Sequence, residues 1–312
     1  MTFSIAARDP ETDAVGVAVQ SKFVSVGAVV PFVSADAGAV ATQSFANVAY
    51  GPDGLDLLRE GNAPAEAIEA LTDADDEAEQ RQVGVVGLDG EPAAFTGAEC
   101  FDVAGDRQGE HYTVQGNILA NEATLDAMAE AFETVDGGLP DRLIAALHAG
   151  NDAGGDSRGE QSAALSVAKP EGGYDGKNDR WVDVRVDDHE RPIDELERVF
   201  KLYDVTLLAR EEPDDPAELS GEAALAVSSV LSDTGFLDGE ATDAFGEAER
   251  AALEDFRGMN NFENHSLTVI EDALARGWAE AAAGDAAAER DENGESRLTD
   301  AIWRGLQRYD RL

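Results

Sequence analysis

Thr2 is the residue whose type and placement carry the most chemistry in this 312-residue chain. Loss of Met1, common when so small a residue follows, leaves a hydroxyl and a free α-amine on one residue, a nucleophile with its own base. An α-amine titrates near ~7.7–8.0, so part of it is neutral at pH 7 and can take the hydroxyl proton, which a lysine near ~10.4 does not readily do. The plainer reading makes Thr2 only a β-favouring residue at the start of a strand. Lys22, the first lysine of a chain that has only four, is expected near Thr2, where a cation would favour ionisation of the hydroxyl and discourage protonation of the amine; otherwise it is an exposed strand-end lysine. Gln43, Ser44 and Asn47 fall between a strand and a helix, where amides and backbone N–H groups form oxyanion holes or simply cap the helix. Asp156 and Ser157, in the run Gly155-Asp156-Ser157-Arg158-Gly159, suit a carboxylate and a hydroxyl that hold the amine; otherwise the run is a glycine-rich turn with a surface pair of Asp156 and Arg158. Gln115 and Asn117 flank Gly116 and suit substrate binding, or a turn.

The elements that must position these groups can be read from apolar periodicity. Strands are expected at 2–9, 14–21, 27–34, 38–44, 82–88, 91–96, 111–115, 163–168 and 181–187, and helical pairs at 51–58 with 64–71 and at 125–132 with 140–149. Strands alternating with helical pairs predict an α+β fold, two packed sheets with helices outside. From Arg191 the chain reads as almost wholly helical, at 193–209, 216–232, 246–257, 266–283 and 298–311, giving domains 1–190 and 191–312.

The runs Thr2 to Asp9, Val15 to Lys22, Ala41-Thr42-Gln43-Ser44-Phe45-Ala46-Asn47, Tyr50-Gly51-Pro52-Asp53-Gly54-Leu55, Phe95-Thr96-Gly97, Gln115-Gly116-Asn117 and Gly154 to Gly159 together resemble the DUF1028 family. The resemblance implies the four-layer αββα sandwich of N-terminal-nucleophile (Ntn) hydrolases, with Thr2 attacking a carbonyl of a small amide or ureide. The run Leu231 to Gly239 followed by Phe245 to Phe256 resembles a peptidoglycan-binding module found behind that domain.

Composition sets the surroundings. With 65 acidic against 23 basic residues the net charge is −42, a surface that stays soluble where salt screens it and fits a halophile cytoplasm of haloarchaeal type. Such a cell holds no ordinary peptidoglycan, so the helical domain is expected to serve packing or homo-oligomer assembly. Nucleic acid is excluded as a partner by the absence of a basic patch. A signal-peptide pattern and a membrane-length apolar run are both lacking, so a cytoplasmic location is expected, with no membrane partner. Cys100 is the single cysteine and fits an inert core thiol; His111, His148, His189 and His265 lack metal-binding spacing, and neither metal nor cofactor is expected. Gly155-Asp156-Ser157-Arg158-Gly159 also fits G-x-S-x-G, with Asp183 and His189 downstream, but a helix precedes it and a strand follows, the reverse of a nucleophile elbow. Three readings stand: an N-terminal-threonine amidohydrolase, a non-catalytic binding or assembly protein on the same fold, and a Ser157 hydrolase.

Overall fold

The computed structural model describes residues 2–101, 103–208 and 212–282; the helix expected at 298–311 lies outside them. In chain order the first unit runs β1 (Thr2–Asp9), β2 (Ala14–Ser21), β3 (Pro31–Ser34), β4 (Gly38–Ser44), α1 (Tyr50–Arg59), α2 (Pro64–Asp73), β5 (Arg81–Gly87) and β6 (Ala93–Thr96). It continues with β7 (Gly105–Gln108), β8 (Tyr112–Asn117), α3 (Ala123–Thr134), α4 (Leu139–Asp152), β9 (Ser162–Ala168) and β10 (Arg180–Val186). The strands form two antiparallel sheets, ordered β10-β9-β2-β1-β8-β7 and β3-β4-β5-β6. The pair α1 and α2 packs on the smaller sheet, α3 and α4 on the larger, and the sheets meet through β1, β2 and β8 against β4 and β5. The result is the two packed sheets with helices outside that the alternation predicts, arranged as the four-layer αββα sandwich that the resemblance implies.

Side-chain size and pattern explain the layers. Strand residues alternate faces, so Ala6, Val17 and Val19 meet Ala39, Ala41 and Val86 between the sheets, all fully buried. On the outer face of the smaller sheet, Tyr50, Leu55, Ile68 and Leu71 of α1 and α2 cover Val40, Val83 and Val85. Helix α4 presents Leu143 to β2 so closely that a Cβ on Gly16 would stand 2.7 Å from Leu143 Cδ1. Every residue of β1 from Thr2 to Ala7 is buried, because β1 lies inside its sheet with β2 on one side and β8 on the other.

Two local expectations differ from the structure. The strand read at 27–34 begins only at Pro31, because Val26–Ala28 turn as a 3-10 helix closed by Ala28 N–H to Ser25 O and Val29 N–H to Val26 O. Strand β7, not expected, is a polar edge strand of sequence GDRQ with no apolar alternation to reveal it; pairing with β8 makes it a strand.

The chain divides into compact units between Val199 and Phe200, inside α5 (Pro192–Leu207); the expected domain boundary at 190/191 falls just before that helix. The second unit holds α6 (Gly221–Asp233), α7 (Glu247–Met259) and α8 (Leu267–Ala282), whose Val227, Leu231, Leu253, Phe256, Ile270 and Leu274 form its core. Helix α6 starts five residues later than its sequence suggests. Before it, Ala217 N–H donates to Asp272 Oδ1 and Ser220 pairs with Ala244 in an isolated bridge, so the backbone is committed elsewhere until Gly221. Among the described residues no helix is long and apolar enough to cross a membrane.

Candidate active site

Hairpin register builds the centre of the site. Pairing of β1 with β2 sets Thr2 opposite Ser21, and the Thr2 Oγ1 and Ser21 Oγ lie 3.0 Å apart, one donating to the other. On its other side Thr2 faces Asn117 of β8. Thr2 is 7% exposed and Ser21 fully buried, yet both line a pocket of about 420 Å³. The pocket is apolar along Phe23, Val26, Val29, Val30, Phe45 and Ala46, polar at Thr2, Ser21, Gln43 and Ser44, and cationic at Arg81 and Arg158.

Beneath Thr2, a chain of buried amides and hydroxyls fills this end of the space between the sheets. Gln115 Nε2 donates to Ser4 Oγ (2.6 Å), which donates to Gln43 Oε1 (2.7 Å); Gln43 Nε2 donates in turn to Gln82 Oε1 (2.8 Å). Gln82 Oε1 also accepts from Asn117 Nδ2 (3.0 Å), while its Nε2 donates to Thr96 Oγ1 and to the carbonyls of Gly105 and Gly116. Gln43 Nε2 also reaches the Thr2 carbonyl at 3.3 Å, which fixes the Thr2 backbone. Burying this many polar atoms is tolerated because they satisfy one another. Gln43 and Gln115 are therefore committed as scaffold: Gln43 lines the pocket, but both its amide atoms are already engaged.

Two polar atoms at this end lack partners among the described residues: Asn117 Oδ1 and Ser44 Oγ. Ser44 also holds a left-handed backbone, φ 71°, uncommon for a non-glycine residue. Ser44 lines the pocket as a residue, while its Oγ is itself buried.

The glycine-rich loop after α4 reaches the same place. Gly154 (φ 133°) and Gly155 (φ 53°) reverse the chain after the helix, and Asp156, 5% exposed, bridges to Leu119. Its carboxylate accepts from the backbone N–H groups of Lys22 (2.9 Å) and Arg158 (2.8 Å), and Arg158 Nη2 stands 3.4 Å away. Asp156 thus pins the end of β2, where Ser21 lies, to the loop that carries Arg158. Ser157 itself is exposed.

Two expected placements are corrected. The Lys22 ammonium donates to the Glu160 carbonyl (2.8 Å) and the residue is exposed, so the cations lining the pocket are arginines; it is the Lys22 backbone N–H, not its side chain, that serves the site. Asn47 lies in a different network, its Nδ2 donating to Asp75 Oδ2 (3.0 Å) and its Oδ1 accepting from Ala49 N–H. Asp75 also accepts from Tyr50 Oη and from Arg81 Nε, each at 3.0 Å. The Arg81 guanidinium holds the Asp75 carboxyl well below its usual range, helped by Asn47, while burial and then Asp75 push the Tyr50 hydroxyl up. These bonds, with Arg81 Nη1 on the Phe45 carbonyl, brace the 44–47 loop from behind.

Two residues of the serine-hydrolase reading have other partners. His189 Nδ1 bonds the Arg191 main chain and Asp183 pairs with Arg180. Among the described residues no group of three or more His, Cys, Asp and Glu could hold a metal ion.

Sequence reading missed Ser21, Ser4 and Gln82. The signal for Ser21 is present: a hairpin that pairs Asp9 with Ala14 must pair Thr2 with Ser21. For Gln82 the signal is a glutamine in a strand whose next alternate position is Gly84, a polar residue where an apolar one is the rule.

A buried threonine at the head of an inner strand, opening on a pocket within an αββα sandwich, defines a two-sheet domain with a candidate hydroxyl nucleophile. The chain belongs to the family described as "Family of unknown function (DUF1028)", whose model matches residues 2–196. A second family model, "Putative peptidoglycan binding domain", matches residues 206–304. The crystal structure of protein SPO2555 from Silicibacter pomeroyi, also of the DUF1028 family, is similar at 35% identity, with a TM-score of 0.59 over 65% of this chain and 88% of that one. Among curated proteins none matches.

Proposed function

We propose that the first unit is an N-terminal-threonine amidohydrolase acting on a small amide or ureide. The observation that carries this reading is the position of Thr2 Oγ1: on the pocket, on an inner strand, and 3.0 Å from the Ser21 hydroxyl. The reading requires that the peptide bond before Thr2 be cut, so that its nitrogen becomes an amine. That amine takes the proton of Thr2 Oγ1 as the oxygen attacks the carbonyl carbon; it then returns the proton to the leaving nitrogen as the C–N bond breaks. Water attacks the resulting ester, the amine again taking the proton, and releases the acid with Thr2 regenerated. Asn117, the cross-strand neighbour of Thr2, supplies in its unpartnered Oδ1 an acceptor to orient the amine. Ser44 and Ala46 line the pocket and are the residues assigned to meet the oxyanion. Asp156 acts as a positioning residue through the Lys22 and Arg158 backbone.

An amide-library screen with wild type, Thr2→Ala and Ser157→Ala tests this. Thr2→Ala is expected to abolish turnover and Ser157→Ala to leave most of it. The reverse pattern assigns the chemistry to Ser157, and no turnover by any variant favours a binding protein on this fold.

A further inference from the structure

Of the chain's twelve phenylalanines three are exposed, and they are gathered in one place. Phe23 and Phe45 line the Thr2 pocket, and Phe101 packs against Phe45 with ring centroids 5.5 Å apart; each is about half exposed. A single exposed apolar residue is ordinary, but aromatic rings clustered at a concavity leave apolar surface that a ligand can remove from water. The backbone behind this surface is pinned. Ser162 Oγ, fully buried, donates to the Phe23 carbonyl and accepts from Val26 N–H (3.1 Å). Thr42 N–H donates to the Val30 carbonyl (3.1 Å), and Arg81 Nη1 to that of Phe45 (2.6 Å). The wall of Phe23, Val26, Val29, Val30 and Phe45 is therefore set on anchored backbone before a ligand arrives, which lowers the ordering cost of binding.

Charge contributes little to the choice of ligand. Both arginines at the pocket are already paired, Arg81 with Asp75 and Glu77 and Arg158 with Asp156, and no carboxylate lines the pocket. With its cations matched and about 420 Å³ walled by valine and phenylalanine, the pocket suits a neutral apolar group better than an ion of either sign. We infer that the Thr2 pocket selects neutral amides that carry an apolar group of about the size of a ring, which lies against Phe23 and Phe45 while the scissile carbonyl meets Thr2. The reaction rests on the amidohydrolase reading, whereas the binding preference does not. Hydrolysis of such a compound consumes one water, breaks the C–N bond and gives an acid and an amine, one of which keeps the apolar group.

Isothermal titration of the full chain at fixed salt, with benzamide, acetamide, benzoate and benzylammonium as probes, tests the inference on wild type, Thr2→Ala, Phe45→Ser and Phe45→Leu. Benzamide is expected to bind wild type and Thr2→Ala alike, about tenfold or more tightly than acetamide, which lacks the ring, and more tightly than either charged probe. Phe45→Ser is expected to weaken benzamide about fivefold or more and Phe45→Leu to keep most of the affinity. Added KCl, which screens charge but not apolar contact, is expected not to weaken it. If a Phe45 variant fails to fold in circular dichroism melts, the ranking of the four probes on wild type decides. Benzamide bound no more tightly than acetamide, a charged probe bound more tightly than benzamide, affinity unchanged in Phe45→Ser, or affinity falling steeply with KCl each overturns the preference. A dimer in sedimentation that Phe45→Ser dissociates, with no benzamide bound at millimolar concentration, overturns it too and assigns the exposed rings to a second copy of the chain. Because Thr2→Ala binds without reacting, a library screen with no turnover counts against the reaction and leaves the binding result standing.

Discussion

The two ends of the space between the sheets are built largely from shared strands by opposite means. At one end Ala6, Val17, Val19, Ala39, Ala41 and Val86 exclude water with small apolar groups that need no particular partner. At the other, two to four residues along β1, β4 and β5, Thr2, Ser4, Gln43 and Gln82, joined by Gln115 and Asn117 of β8, fill the gap with amides and hydroxyls that each need specific partners. The apolar end tolerates small adjustments of the sheets, whereas hydrogen bonds allow few positions, and the Thr2 carbonyl is among the atoms they hold. Rigidity is concentrated where chemistry is proposed.

The sharpest way to break this comparison is to remove one central residue from each end. Gln82→Leu keeps the volume but strands the Gln43 and Asn117 amides and two carbonyls; it is expected to cost about 3 kcal/mol or more in urea denaturation at fixed salt. Val86→Ala, at the apolar end, is expected to cost about 1.5–2 kcal/mol and leave turnover unchanged. Equal costs for the two would mean that the polar end is not held by its network. A comparable effect is expected at Gly84, whose absent Cβ makes room for Gln115: a methyl there would fall 2.1 Å from Gln115 Oε1. Gly84→Ala is expected to destabilise by about 1–3 kcal/mol, and by distinctly less when combined with Gln115→Ala.

The smallest effect concerns a region away from both ends, where α4 meets α5. His148 Nε2 lies 2.8 Å from Glu197 Oε2, with Asp194 4.0 Å from its other nitrogen and Asp152 also near. The Glu197 carboxylate raises the His148 pKa above its ordinary 6.5 despite partial burial. A raised histidine stabilises the fold fully below its unfolded pKa, and the gain fades as pH climbs through the raised value. The stability difference between wild type and His148→Gln should therefore be greatest below pH 6.5, under about 1 kcal/mol, and vanish in alkaline buffer. A difference independent of pH would show that packing alone holds this contact.

Alternation made the strands and their faces legible in the sequence, and with them the place of Thr2 at the head of an inner strand. What the sequence hides is which of two groups on a residue acts. Lys22 is placed correctly along the chain, but Asp156 takes its backbone N–H while the ammonium turns to Glu160. Asn47 reads like an oxyanion donor because of its position before a helix, yet Asp75, twenty-eight residues on, claims its amide. Gln82 and Ser4 matter only through partners on other strands, a property of the packed sheets that no local spacing encodes. Strand β7 is silent for the same reason: it becomes a strand by pairing, not by composition.

The central claim is that Thr2 carries the nucleophile and its base, and this depends on one covalent fact. Mass spectrometry of the N-terminal peptide from the purified full chain reads it directly. The expected result is a peptide that begins at Thr2 with an unmodified α-amine. A peptide in which Thr2 remains joined through its nitrogen to Met1, or to any preceding residue, in active protein would contradict the claim, because an amide nitrogen there cannot take the hydroxyl proton.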